Sequence, residues 1–138
     1  GFGHWLRQQA AEELGHGMRL LDFLNRRGAK AVFAGLPRPP GEFESLSNLC
    51  HEVWRHEKEI SAAIFALNAL AVKEQAFATQ AQLIWFFNEQ VEEEHSSARI
   101  AAQVKLIGDD PTALLVLDRE LGQRPTATSA APVTAAAS

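Results

Sequence analysis

Carboxylate, amide and imidazole side chains interrupt three apolar faces that repeat at helical spacing. Glu13 and His16 are three residues apart, so a helix places them on one face. A second face carries Glu57, and a third carries Gln90 and Glu93, each near the middle of its stretch. Oxygen and imidazole groups that converge from facing helices suit iron, manganese or zinc. The pattern therefore predicts a metal site inside a helical bundle.

Without a metal, these faces would bury several negative charges in one core. An unpaired carboxylate in a bundle core costs several kcal/mol, and neither Lys nor Arg falls on the three faces to neutralise it. A metal cluster is therefore the simplest explanation. The faces consist of Phe2, Leu6, Gln9, Glu13, His16, Leu20 and Phe23; of Leu46, Cys50, Val53, Glu57, Ile60, Ile64, Leu67 and Ala71; and of Leu83, Phe86, Gln90, Glu93, Ser97, Ile100, Val104 and Ile107.

Each of these polar residues also has an ordinary structural explanation. His16 alone could be a hydrogen-bonded core histidine, Gln90 a polar packing residue and Glu57 an ion-pair partner. Cys50, on an apolar face, is more typical of a small core residue than of a nucleophile. It is the coincidence of polar residues on all three faces that favours the metal site.

A second Glu-x-x-His pair, Glu92 with His95, offers a different ligand set on the helix that carries the third face. His95 lies about 200° around the helix from Glu93 and therefore leaves the apolar face. We interpret Gln90 and Glu93, rather than His95, as the residues that this helix contributes.

Three stretches without proline, residues 2–27, 45–78 and 79–107, are long enough for the helices that these faces require. Gly28 is predicted to end the first helix, and Ser45 to cap the second. Glycine and proline punctuate residues 28–44 between them, which predicts a long crossover rather than a tight turn.

A short helix over about residues 112–121 is predicted to follow, with Asp110 as its N-cap and Pro111 at its first position. Beyond it, residues 125–138 contain only Pro, Thr, Ala, Ser and Val, a composition typical of a flexible tail. We therefore expect one helical domain at residues 1–124, followed by this tail. The fold class is all-α.

Composition argues against several function classes. A formal net charge of -4 without a basic patch disfavours nucleic-acid binding, and one cysteine allows no internal disulfide. No membrane span or export signal is visible, so the cytoplasm is the expected compartment and no membrane partner is expected. No Ser/His/Asp arrangement, Gly-rich phosphate loop or Cys-pair zinc site stands out, so hydrolase and nucleotide-binding functions are disfavoured.

Five runs of this sequence resemble those of the bacterial non-haem ferritins. They are QAAEELGH at residues 9–16, RHEKE at 55–59, WFFNEQVEEE at 85–94, KLIGDD at 105–110 and LDREL at 117–121. The resemblance covers about residues 2–123. It implies a ferritin-like four-helix bundle with a long crossover and a short C-terminal helix, assembled into a hollow 24-subunit shell. Three of the four long helices are represented here, because the family's first long helix has no counterpart in the chain.

The resemblance also implies residue roles in storing iron. Glu13 would bridge two irons, His16 would bind one of them, and Glu57 and Glu93 the other, with Gln90 close by. Three further residues, together with Glu93, would form a third iron site: Glu12, Glu89 and Glu92. Iron(II) would be oxidised by O2 or peroxide, and iron(III) would pass to a mineral core. Haem is not expected, because Leu14 stands where bacterioferritins place a haem-ligating Met.

Two alternatives remain beside a ferroxidase subunit. The family's first long helix supplies a further Glu and a nearby Tyr, and this sequence contains neither that helix nor any Tyr. A shell subunit or fragment that binds iron without turnover is one alternative, and a helical interaction module is the other. Since three amphipathic helices leave a groove where a fourth would pack, we also expect the 138-residue chain not to be a stable monomer.

Overall fold

The computed structural model describes residues 1–124, and within them all regular structure is α-helical. The helices are Phe2–Arg26 (α1), Leu46–Lys73 (α2), Phe77–Ile107 (α3) and Pro111–Gly122 (α4). The all-α prediction is confirmed. The prediction of a flexible tail falls on residues 125–138, which lie outside the described part of the chain.

Most helix ends follow the local signals in the sequence. Gly28, just beyond α1, has φ +68°, the left-handed conformation that lets glycine end a helix cheaply. Ser45 caps α2, because its hydroxyl oxygen accepts a hydrogen bond from the backbone N–H of Asn48 at 3.0 Å. Pro111 occupies the first position of α4. Between α1 and α2 no regular structure forms, as the crossover prediction requires.

The boundary between α2 and α3 lies earlier than predicted. Instead of falling between residues 78 and 79, it lies at residues 74–76, since α2 ends at Lys73 and α3 begins at Phe77. Gln75 has φ +52°, an uncommon conformation for a residue with a side chain. The chain reverses without the glycine or proline that usually marks such a turn, so the sequence carried no clear signal for it.

Contacts divide the chain into two compact units, of which the second is Leu36–Asp110. In this unit α2 and α3 pack against each other. The predicted face of α3 is confirmed, because all of its members except the half-buried Ile107 are buried. Apolar core residues of the unit are Cys50, Ile64, Ala71, Leu83, Phe86, Ile100 and Val104.

The predicted inward face of α2 is wrong at one residue, Leu67. Leu67 is 39% exposed, whereas Ser61, which the apolar pattern did not include, is 3% exposed. Viewed down the helix, these residues lie about 60° to either side of Ile64, since each residue advances by about 100°. The α3 contact lies on the Ser61 side, so Leu67 is left outside it.

Among the described residues, the first unit consists of residues 1–35 together with residues 111–124. Here α1 contacts α4, and Trp5, Leu117 and Leu121 are buried. Asp118 of α4 accepts a hydrogen bond on Oδ1 from the backbone N–H of Phe2 at 2.8 Å. That N–H is one of the donors that the first turn of a helix leaves without an intrahelical partner, so α4 caps the start of α1.

Among residues 1–124, no helix is both long enough and apolar enough to cross a bilayer.

Candidate metal centre

The candidate ligands of α2 and α3 lie in the interior of the second unit. Glu57 is 2% exposed, Gln90 3% and Glu93 7%. The side-chain amide of Gln90 donates from Nε2 to the backbone carbonyl oxygen of Glu57 at 3.2 Å. Two carboxylates and an amide are therefore held where two helices meet, and the predicted inward orientation of these three residues is confirmed.

Ser61 is a polar residue of this interior that the sequence analysis missed. Its hydroxyl lies 3.3 Å from Gln90 Nε2, from which it accepts, and it donates to Oε1 of the half-buried Glu94. Ser61 follows Glu57 by four residues and so stands one turn along the same helix. No apolar repeat marks such a serine, because its burial depends on which side of α2 meets α3.

Ser97 occupies the corresponding position on α3, four residues after Glu93, but its contacts are different. Its hydroxyl donates to the backbone carbonyl oxygen of Glu93 at 2.7 Å, within its own helix. This is the local bond that a mid-helix serine commonly makes. The two equally buried serines thus differ in that Ser61 donates to the facing helix and Ser97 donates to its own.

Glu13 and His16 lie together on α1, in the first unit. Nδ1 of His16 is 3.5 Å from Oε1 of Glu13, and the side chains are 13% and 35% exposed, respectively. The Oε1 atom of Glu13 is itself buried. The spacing thus brings a carboxylate and an imidazole to one point on the helix, as predicted, although both remain more open than the ligands of α2 and α3.

The residues predicted for a third iron site differ in exposure. Glu12 is half-buried, and its Oε2 lies 3.8 Å from Nη2 of Arg124, a residue that also donates to the side chain of Gln9 at 2.9 Å. Glu89 is half-buried and Glu92 is exposed. The arginine that follows α4 therefore offsets the negative charge of Glu12.

His95 is exposed on α3, in agreement with its predicted position away from the apolar face. The alternative pair of Glu92 and His95 thus lies at the surface of the second unit. Within either unit, the described residues bring no three His, Cys, Asp or Glu side chains into one metal-binding group. The predicted ligands are accordingly divided, with Glu13 and His16 in the first unit and Glu57 and Glu93 in the second.

Cys50 and two glycines of α1, Gly15 and Gly17, have ordinary surroundings. Cys50 is fully buried, and desolvation raises the pKa of its thiol to about 11, which suits a core residue rather than a nucleophile. A Cβ atom added to Gly15 or Gly17 would meet no neighbouring atom within 4 Å. Close packing therefore does not explain these glycines, and nothing in the structure does.

Comparison with known proteins identifies the family. Residues 1–107 match the family described as Ferritin-like domain. The chain belongs to this family. A bacterial non-heme ferritin of Staphylococcus saprophyticus is 36% identical over 124 residues, which cover 90% of this chain and 74% of that protein. The resemblance to bacterial non-haem ferritins is thereby confirmed.

Solved ferritin structures share the fold. An open pore ferritin from the archaeon Archaeoglobus fulgidus is 40% identical, with a TM-score of 0.88 over 91% of this ferritin-like chain and 77% of that one. A humanized archaeal ferritin is 39% identical, with a TM-score of 0.90 over 93% of this chain and 78% of that one. These likenesses confirm the all-α, ferritin-like fold class.

Proposed function

We propose that the protein is an iron-storage subunit that binds iron(II) as its substrate, oxidises it and passes iron(III) to a mineral core. The observation that carries the proposal is the burial of Glu57 and Glu93, at 2% and 7% exposure, in a chain that belongs to the ferritin-like family. A carboxylate in an interior loses its hydration, whereas iron(II) bound there would offset that cost. Storage of iron accounts for their place inside the protein.

In this proposal the ligands fall into three groups. Glu57 and Glu93 hold one iron with Gln90 beside it, while Glu13 and His16 hold the other and Glu13 bridges the two. A third iron site draws on Glu93 again and on Glu12, Glu89 and Glu92. The third group differs from the buried pair of Glu57 and Glu93, because Glu92 is exposed and Glu12 is paired with an arginine.

The donor set suits oxidation of iron. Carboxylate oxygens are hard, negatively charged ligands, which stabilise iron(III) more than iron(II) and so ease the loss of an electron. Two iron(II) ions give two electrons to O2, which takes up two protons and leaves as hydrogen peroxide. Hydrogen peroxide as the oxidant would accept two electrons and two protons and leave as two waters. The protein supplies the ligands that hold the two metals near each other.

Membership of the ferritin-like family supports two further parts of the proposal. The subunits would assemble with one another into a hollow shell, with 24 subunits by resemblance to the family, and would act in the cytoplasm. The partners are then further copies of the chain, iron(II) and the oxidant.

Anaerobic titration with iron(II), followed by admission of air, tests the proposal. The wild-type protein should bind iron(II) and then show a ferric absorbance rise proportional to the iron bound. Glu57→Ala should abolish the fast phase, because it removes a buried candidate ligand, and its melting temperature checks that the variant is folded. Glu59→Ala is the control, since it removes an exposed carboxylate two residues along the same helix and should leave the kinetics unchanged.

The other outcomes identify the alternatives. Binding without a ferric absorbance rise would identify a shell subunit that holds iron without turnover, in keeping with the open position of Glu13. A protein that neither binds nor oxidises iron(II) would be an interaction module. Unchanged kinetics in Glu57→Ala would show that the site assignment is wrong.

A further inference from the structure

The polar side chains between α2 and α3 form a chain of hydrogen bonds with a defined direction. Nε2 of Gln90 lies 3.2 Å from the carbonyl oxygen of Glu57 and 3.3 Å from Oγ of Ser61. Ser61 in turn donates to the carboxylate of Glu94. Gln90 and Ser61 are each 3% exposed, so bulk water offers no substitute for these bonds.

This arrangement settles the orientation of the Gln90 amide. A backbone carbonyl oxygen only accepts hydrogen bonds, so the amide nitrogen of Gln90, rather than its oxygen, must face Glu57. The two hydrogens of that nitrogen have two acceptors, Glu57 O and Ser61 Oγ. Oε1 lies on the other side of the amide carbon and is the atom of Gln90 that remains to accept from a donor or to bind a cation.

Glu94 determines the direction of the hydrogen bonds that Ser61 makes. A helical serine usually donates its single hydrogen to the carbonyl four residues earlier, as Ser97 does to Glu93. For Ser61 that carbonyl is Glu57 O, the group on which Gln90 depends. Because Glu94 accepts the hydroxyl hydrogen instead, Ser61 does not compete for Glu57 O, and its oxygen accepts from Gln90.

We propose that Ser61 is a positioning residue, which with Glu94 holds Gln90 so that its carbonyl oxygen is presented as a ligand for iron(II). This inference rests on the proposed function, because it assigns a supporting contact to the same candidate site. Ser61 itself touches no iron. Groups that orient ligands in this way typically change metal affinity by roughly 10- to 100-fold when they are removed.

Cobalt(II), added anaerobically to the full chain, is a suitable probe because its visible absorption reports the number and type of its ligands and does not depend on turnover. Ser61→Ala should weaken cobalt binding roughly tenfold and alter the visible spectrum. Ser61→Thr, which keeps the hydroxyl, should restore both. In iron(II) oxidation, Ser61→Ala should raise the iron concentration needed for half-maximal rate more than it lowers the maximal rate.

Ser97→Ala is the matched control, since it removes an equally buried hydroxyl that donates to backbone carbonyl oxygens of its own helix. Its cobalt affinity and spectrum should equal those of the wild type, and the melting temperatures of both alanine variants should be similar. If Ser61→Ala binds cobalt as Ser97→Ala does, the positioning role is wrong while the proposed function stands. If the wild-type protein binds no cobalt and no iron(II), the proposed function fails, and this inference fails with it.

Discussion

The pair α2 and α3 and the helix α1 carry the same kind of polar interruption in very different surroundings. On α2 and α3 five polar residues are at most 7% exposed, namely Glu57, Ser61, Gln90, Glu93 and Ser97. Of the 25 residues of α1, only Trp5 and Gln9 are buried. The same sequence pattern therefore leads to different degrees of burial. Burial depends on which neighbour packs against a helix face and not on the face alone.

The difference bears on how each half of the candidate site could bind a metal. Gln90 is tied to α2 by hydrogen bonds, so the geometry on that side is fixed before a cation arrives. Glu13 and His16 share one contact of 3.5 Å and keep part of their surface open. We therefore expect Gln90 to need less rearrangement than Glu13 or His16 when each meets a metal.

The largest expected effect is on iron binding and oxidation, when the two candidate ligand sets of α3 are compared by alanine substitution. Glu93→Ala should lose at least one bound iron per subunit and slow iron oxidation by at least about tenfold, because it removes a buried candidate ligand. His95→Ala should change iron stoichiometry and rate little, since His95 is exposed. Anaerobic iron titration and stopped-flow absorbance measure both quantities. The opposite ranking would assign the site to Glu92 and His95.

Packing gives the next largest contrast. Ile100 of α3 is 2% exposed, so Ile100→Ala should lower the unfolding free energy by roughly 2–5 kcal/mol, through lost burial and the cavity left behind. Leu14 of α1 is 68% exposed, so Leu14→Ala should lower the unfolding free energy by at most about 0.5 kcal/mol. Chemical denaturation compares the two variants. Equal losses would mean that Leu14 is buried by a neighbouring copy in solution.

Local patterns were sufficient to predict most of the helical structure. The face of α3 follows directly from its steps of three and four residues, and Gly28 and Ser45 end and begin helices through their own backbone and side-chain chemistry. The turn at Gln75 was missed because it uses a left-handed conformation without glycine. Such a conformation persists only where the packing of the flanking helices compensates for it.

The candidate site was predictable only as a set of residues. Spacing placed Glu57 and Glu93 on inward faces, and their burial followed. The hydrogen bonds of Ser61 could not be predicted, because they depend on the side of α2 that meets α3 and on Glu94 reaching across. Sequence spacing specifies a face, whereas the pairing of two faces is a tertiary property.

Glycine substitution in α1 would sharpen the comparison by testing how closely that helix is packed. Gly17→Ala should raise the unfolding free energy by about 1 kcal/mol, because alanine favours the helix and its Cβ meets no neighbouring atom. Gly108→Ala is the control, since φ +61° at that position strains any residue with a side chain, and it should be destabilising. A loss of stability in Gly17→Ala would reveal a surface that packs closely against Gly17 in the assembled protein.

The smallest expected effect concerns the contact between α1 and α4. The hydrogen bond from the backbone N–H of Phe2 lowers the pKa of Asp118 from its usual value of 3.8. A carboxyl group whose pKa is lowered by folding stabilises the protein above the unfolded value, and that contribution disappears as the pH falls through the folded value. Asp118→Asn keeps an acceptor for Phe2 but cannot ionise, so its stability should fall less than that of the wild type between about pH 5 and pH 2.

Melting temperatures across this range test the difference, with Asp22→Asn as a control for the loss of an exposed negative charge on α1. Because Asp118 lies at the surface, we expect a small shift. Parallel curves for the wild type and Asp118→Asn would show that the charge of Asp118 contributes nothing to the pH dependence of stability.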